Sequence, residues 1–393
     1  MAVAGSPGAR RAGAGAGARA AAGAGAGVRA AAGAAAGAGA GRAPPSRRAA
    51  APRPSRRGGA VARAAAADPE APGEAFWAAR AQKSALVTGA AGGVGFALAE
   101  SLARRGFSVV LCDIDEARIK AAAEALCSRY GEGRAFGTVC DVGDPAAVDA
   151  LAAFAKEKLG EVDIWINNAG RNGGKIPLWE QTPETLQGVV GCNLMGVLLC
   201  TRAAINLLNA QKGGRRAHIF NVTGSGVKGE ATPGWSAYGA TKRGMPQLTQ
   251  TVLKEMDKYG GVENVSLHTM SPGMVFTDML LEDSTPNERK FFDILADEPD
   301  QVGEELILKV LPIAASDETG ANIQYLDGPR IAQRLLSPNL LKFLAGLALP
   351  QLKLAPGKRI DADGNRIRKA GEQYRENGTK VMFEGMEERT SGL

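Results

Sequence analysis

The sequence predicts an α/β fold, a single doubly wound parallel sheet with helices on both faces, over residues 84–328. Three observations carry this reading. Short apolar runs alternate with helical stretches from Ser84 onward. The runs are apolar on both faces, as suits a sheet that helices cover on each side. The residue types that oppose a packed core are concentrated at the two ends of the chain.

Residues 1–67 hold eleven arginines, no lysine and no acid, and are otherwise mostly Ala, Gly and Pro. Such a segment buries too little apolar surface to offset its ordering entropy, so it reads as a disordered leader. Arginine-rich, acid-free composition points to an organelle transit peptide, chloroplastic with the mitochondrion as alternative. Residues 68–83 read as a linker and 329–393 as a C-terminal extension, apolar first and highly charged from Lys358 onward. The whole chain is +6, so with eleven positive charges in the leader residues 68–393 carry −5. That argues against nucleic acid as a partner. The five cysteines show no CxxC spacing and only His218 and His268 are present, so neither a disulfide scaffold nor a metal site is expected. No apolar run reaches the roughly 18–20 residues needed to span a bilayer. The nearest, at 340–354, reads as a packed helix or a monotopic membrane contact.

The elements follow in order. SALVT (84–88) is a strand ending in a glycine turn, and a helix covers 94–105. FSVVLC (107–112) leads to a helix over 115–130, for which Asp115 is the cap. RAFGTVC (134–140), a helix over 145–159, VDIWIN (162–167) and a long helix over 183–211 continue the alternation. AHIFNV (217–222), a helix over 236–259 and NVSLHTM (264–270) complete it. Open sheets of this kind bind ligands at the carboxyl ends of their strands, and there the chain places Asp113, Asp141-Val142 and Asn167-Asn168-Ala169-Gly170.

The turn Thr88-Gly89-Ala90-Ala91-Gly92-Gly93-Val94-Gly95 joins a strand to a helix, where backbone N–H groups can approach a pyrophosphate. The domain is therefore of Rossmann type. Asp113, 18 residues beyond Gly95, stands where a carboxylate holds both ribose hydroxyls; it favours NAD(H), with NADP(H) as the alternative. Tyr238 and Lys242 are neighbours on one helix face; an ammonium beside a phenol makes a general acid/base unit, and both count among the cofactor-binding residues, Lys242 being able to reach the sugar hydroxyls.

Together these motifs resemble the short-chain dehydrogenase/reductase family across essentially all of 84–328, with the TGxxxGxG turn matched at Thr88, Gly89, Gly93 and Gly95. The resemblance implies a carbonyl oxidoreductase. Its acidic-aliphatic pair, Asp141-Val142, carries the adenine, and Asn168, Ala169 and Gly170 line the other side of the cofactor. Pro272, Val275 and Thr277 match the loop that engages the carboxamide. Tyr238, Lys242 and Asn193 match catalytic positions, with Asn193 holding a water in a proton relay. The family's serine falls three residues after Asn221 by one count, which is Gly224. By the count back from the tyrosine it is Ser225, which is the choice here, with Thr223 in reserve. The resemblance also implies a homo-oligomer paired through two long helices.

Within the family the strand HIFNV, the motif AYGATKRG, the segment SPGMVFTDMLL and the tail KRIDADGNRIR resemble chlorophyll(ide) b reductases. That implies reduction of the 7-formyl group of chlorophyll b or chlorophyllide b in the chloroplast. It also implies a place in the stroma or at the stromal face of the thylakoid membrane, touching membrane or light-harvesting complexes. Met279, Leu280, Leu281, Phe291 and Phe292 are candidates for an apolar substrate mouth or for ordinary core. Two other readings stay open: a plastid 3-oxoacyl-carrier-protein reductase, and a catalytically silent cofactor-binding regulator.

Overall fold

Seven strands carry the computed structural model: β1 (Ser84–Thr88), β2 (Ser108–Asp113), β3 (Ala135–Val139), β4 (Ile164–Asn167), β5 (Ala217–Val222), β6 (Val265–Ser271) and β7 (Asn322–Gln324). They form one parallel sheet in the order β3-β2-β1-β4-β5-β6-β7. The order reverses between β1 and β4, so their carboxyl ends open a crevice. The structure describes residues 74–336, 359–361, 363–367, 369, 372–373 and 380–383. The leader at 1–67 and the apolar run at 340–354 lie outside them.

Strand alternation builds two cores. Ala85, Val87, Val109 and Leu111 face one side, where they meet α2 (Gly93–Arg104), α3 (Glu116–Tyr130) and α10 (Pro299–Ala314) through Phe96, Leu126 and Leu306. Leu86, Val110, Trp165 and Leu267 face the other, under α4 (Pro145–Leu159) and α6 (Val197–Asn209) through Leu151 and Ala204. Both faces are sealed, which is why the strands read as uninterrupted apolar runs. The carboxylates of Asp115 and Asp144 cap α3 and α4 by accepting from Arg118 N–H and Ala146 N–H, at 3.0 and 2.9 Å. No side chain caps α2, the helix that opens at the glycine turn.

The structure departs from the sequence reading in three places. The helix expected over 183–211 is α5 (Pro183–Val190), a π-helical turn at Gly191–Gly196 and α6, three pieces in one run. Contrary to the expectation that no apolar run is long enough to span a bilayer, this run is so by length and composition. Val197, Cys200, Ala204 and Leu208 bury its inner face in the domain core. Residues 278–321, given no elements above, form α8 (Asp278–Leu281), α9 (Pro286–Leu295) and α10; Pro286 and Pro299 start helices there rather than break them. Part of the expected linker is ordered: α1 (Glu74–Ala78) buries Trp77, whose Nε1–H donates to Leu311 O at 2.9 Å, and Arg80 pairs with Asp163 at 2.6 Å. Beyond α7 (Ser236–Tyr259) and β7, a helix α11 (Gly328–Leu335) opens the C-terminal extension.

Candidate active site

The glycine turn fits a dinucleotide. Residue 95 has no room for a side chain, since a Cβ there would lie 2.1 Å from Gly89 O. The turn is tied across the switch point to β4. Thr88 Oγ1 accepts from the N–H groups of Asn168 and Ala169, both at 3.0 Å, and Asn168 Nδ2 donates to Thr88 O and Gly89 O. The uncapped start of α2 presents its N–H groups to an anion. Asp113, at the end of β2, accepts from Ala91 N–H at 3.2 Å, so its carboxylate stands beside the turn. A Cβ on Gly93 would stand 3.3 Å from Thr277 Cγ2, which places the 275–277 loop over the same turn. Val142 is buried and close to Gly196, while Asp141 is exposed and accepts from Gly143 N–H at 2.8 Å. Pro272, just after β6, is half-buried.

The acid/base residues meet at the mouth of this crevice. Tyr238 and Lys242 lie in the first turns of α7, 8% and 3% exposed. The ammonium donates to Val222 O at 3.1 Å and stands 5.7 Å from the centre of the Tyr238 ring. Burial pulls Lys242 down to about 8 and pushes the phenol up to about 12. At neutral pH the tyrosine is thus a protonated donor and the lysine is mainly charged. Asn193 lies wholly buried inside the π-helical turn. Its Oδ1 accepts from Arg171 N–H at 2.9 Å and its Nδ2 donates to Arg171 O at 2.8 Å and to Thr241 Oγ1 at 3.3 Å. A Cβ on Gly170 would stand 3.3 Å from Asn193 Oδ1 and 3.6 Å from Lys242 Nζ, so these groups share one wall. Turns of this kind recur at functional sites because the extra residue re-aims one side chain.

Ser225 is placed apart from this group. It is exposed, and its Oγ is 3.2 Å from Thr232 Oγ1. Thr223 donates to Met270 O on β6. The residue against the phenol is Gly224, where a Cβ would fall 2.2 Å from Tyr238 Oη. Two further residues went unread in the sequence. Arg118, on the first turn of α3, donates to Ala91 O at 3.3 Å and so brings a cation to the turn beside Asp113. The Trp235 ring stands 5.7 Å from that of Tyr238, and its buried indole N–H meets no acceptor among the described residues. No local sequence pattern marks either one. Of the candidate mouth residues, Leu281 is buried with Phe276, and Leu280 and Phe292 pack against them. His218 and His268 stack between β5 and β6, 3.1 Å apart at Nδ1 and Nε2, as packing residues.

The chain matches the family described as short chain dehydrogenase over residues 83–288. The chloroplastic chlorophyll(ide) b reductase NOL of Oryza sativa subsp. japonica is 38% identical over 255 residues, covering 64% of this chain and 74% of the relative. Its namesake from Arabidopsis thaliana is 38% identical over 255 residues, covering 64% and 72%. The crystal structure of the 3-ketoacyl-(acyl-carrier-protein) reductase from Brucella melitensis complexed with NADH has a TM-score of 0.54 at 30% identity, covering 63% of this chain and 98% of that one.

Proposed function

The chain belongs to the short chain dehydrogenase family, and from that premise we propose that it reduces the 7-formyl group of chlorophyll b or chlorophyllide b to hydroxymethyl. The observation that carries this reading is the 38% identity, over nearly two thirds of the chain, to proteins named for that substrate. The glycine turn at 88–95 and Asp113 would hold a nicotinamide nucleotide, which when bound would supply the hydride. Tyr238 Oη gives its proton to the oxygen of the carbonyl as negative charge develops there, and burial keeps that proton in place until then. The Lys242 ammonium stabilises the phenolate left behind and is itself aimed by Val222 O. Asn193 holds the Arg171 backbone beside them. Position 224 has no hydroxyl to share the phenol, so the proton comes from the Tyr238–Lys242 pair without a serine pressed against it.

Asp113 supports NADH as the preferred donor, with Arg118 as the residue through which NADPH would be tolerated. The arginine-rich leader and the chloroplastic names of the relatives support a plastid site of action, in the stroma or at the stromal face of the thylakoid membrane. The exposed Val190, Met195 and Leu198 along the α5–α6 run support pairing with a second copy.

Chromatography after incubation with chlorophyllide b and either nucleotide tests the substrate. The reading expects a 7-hydroxymethyl product. Turnover of a 3-oxoacyl thioester with no pigment product would replace it by the fatty-acid reading.

A further inference from the structure

The C-terminal extension returns to the catalytic face. Residues 359–361 and 363–367 pair as a short hairpin, with Ile360 bridged to Arg366 and Ile367 N–H donating to Arg359 O at 2.8 Å. Its two arginines close on one ring. Phe276 is fully buried, with the guanidinium carbons of Arg359 and Arg366 at 4.7 and 4.6 Å from its centroid. Carboxylates fix both cations. Arg359 Nε lies 3.1 Å from Asp293 Oδ1 and its NH1 3.2 Å from Asp297 Oδ1, while Arg366 pairs with Glu298. Asp297 also accepts from Tyr325 Oη at 2.6 Å, pairs with Arg334, and takes the N–H of Phe276 on its backbone oxygen at 2.9 Å. Ile360 joins Phe276, Leu281 and Ala296 in one apolar cluster.

Phe276 precedes Thr277, whose side chain lies against Gly93 of the glycine turn. We propose that the 359–367 hairpin is a brace for the nicotinamide segment, acting through the Phe276 ring held between Arg359 and Arg366. Residues 359–367 lie outside the 83–288 stretch that matches the family, so the brace is an addition to the common domain. Its arginines are positioning residues. They touch the ring whose neighbours face the crevice, and a guanidinium desolvated over an aromatic face restricts the motion of both. The inference rests on the reading of Val275 and Thr277 as the segment that meets the nicotinamide.

The test compares ligands with and without the nicotinamide. Affinities of NADH against ADP-ribose, and of NADPH against 2′-phospho-ADP-ribose, are measured by calorimetry on the full chain for Arg359→Ala, Phe276→Leu and Thr277→Val. Phe276→Leu removes the aromatic face while leaving an apolar side chain and every carboxylate pair in place, so it stays informative where Arg359→Ala disturbs folding. The brace predicts NADH and NADPH weakened about tenfold in the first two variants, with the nicotinamide-free ligands changed by less than about twofold. Equal weakening of both kinds of ligand, or no change in either, would overturn it. If Thr277→Val weakens NADH and the other two variants do not, the brace fails alone. If Thr277→Val has no effect, the nicotinamide reading of the loop fails first.

Discussion

Tyr238 and Lys242 carry opposite burdens from the same burial. The phenol rises to about 12 and the ammonium falls to about 8, so each moves toward its neutral form. For reduction the neutral phenol is the useful species and the charged amine is its support. Tyr238→Phe should therefore lower turnover on the order of 10²–10⁴-fold while nucleotide binding, followed by fluorescence titration, stays intact. The pH profile should break on its alkaline side. Lys242 is charged below about 8, and kcat for reduction should fall as pH rises through that value. A profile flat from 7 to 10 would remove Lys242 from the proton chemistry. At the other end of the crevice, a 2′-phosphate about 4 Å from the Asp113 carboxylate would be repelled by about 4 kcal/mol per charge pair at an effective dielectric near 20. Asp113→Ser should shift the ratio of kcat/KM toward NADPH, and an unchanged ratio would hand cofactor choice to Arg118.

Elements explain why the tyrosine has its setting. The loop after β5 turns beneath α7 so that the backbone of Gly224 meets the Tyr238 hydroxyl, and a side chain there has nowhere to go. Gly224→Ala should displace the phenol and cost on the order of 10²-fold in kcat, with ADP-ribose affinity unchanged as the check on folding. Near-full activity would mean that the loop yields freely. The same loop shows where sequence reading ends. Strands β1, β2 and β4 to β6 were legible because each is buried on both faces, the edge strand β3 because it keeps the strand–helix alternation, and Tyr238-Lys242 because helical spacing alone puts them together. The choice between Gly224 and Ser225 was not, since it depends on how a loop with left-handed glycines at 226, 229 and 234 folds back. The π-helical turn at Asn193 was hidden for a similar reason: one extra residue in a turn leaves no mark on composition. Helices α9 and α10 were given no place in the sequence reading, although Pro286 and Pro299 stand at first-turn positions that suit proline.

At the scale of the molecule the extension and the sheet interior set stability. The contacts of the extension join residues far apart in sequence, such as Arg359 with Asp293 and Phe383 with Phe96, so no local pattern announces them. Inside the sheet Ala321 N–H donates to His268 Nδ1, which leaves His268 Nε2–H to donate to His218 Nδ1. Neither ring can take another proton without breaking a bond, and burial holds His218 at about 4 and His268 at about 3, below the usual 6.5. The unfolded chain then binds more protons than the folded one as pH falls below 6.5. Stability from this pair is complete above that value and is lost on acidification. Between pH 7.5 and 5.5 the loss should be about 2–3 kcal/mol, before ordinary carboxylates begin to protonate. Urea unfolding at the two pH values measures it, and equal midpoints would show that the pair is not held neutral.

The central claim is that this chain is a formyl reductase whose hydride would come from a nicotinamide nucleotide and whose proton would come from Tyr238. Its most direct test is to supply NADH and NADPH deuterated at the transferring carbon to an equal mixture of chlorophyllide b and chlorophyllide a, and to read both pigments by mass spectrometry. The predicted result is one deuterium on the new 7-hydroxymethyl carbon of the b-type pigment, none in the a-type, and almost none in either with Tyr238→Phe. Unlabelled pigment from a preparation that still deuterates a 3-oxoacyl thioester would contradict it.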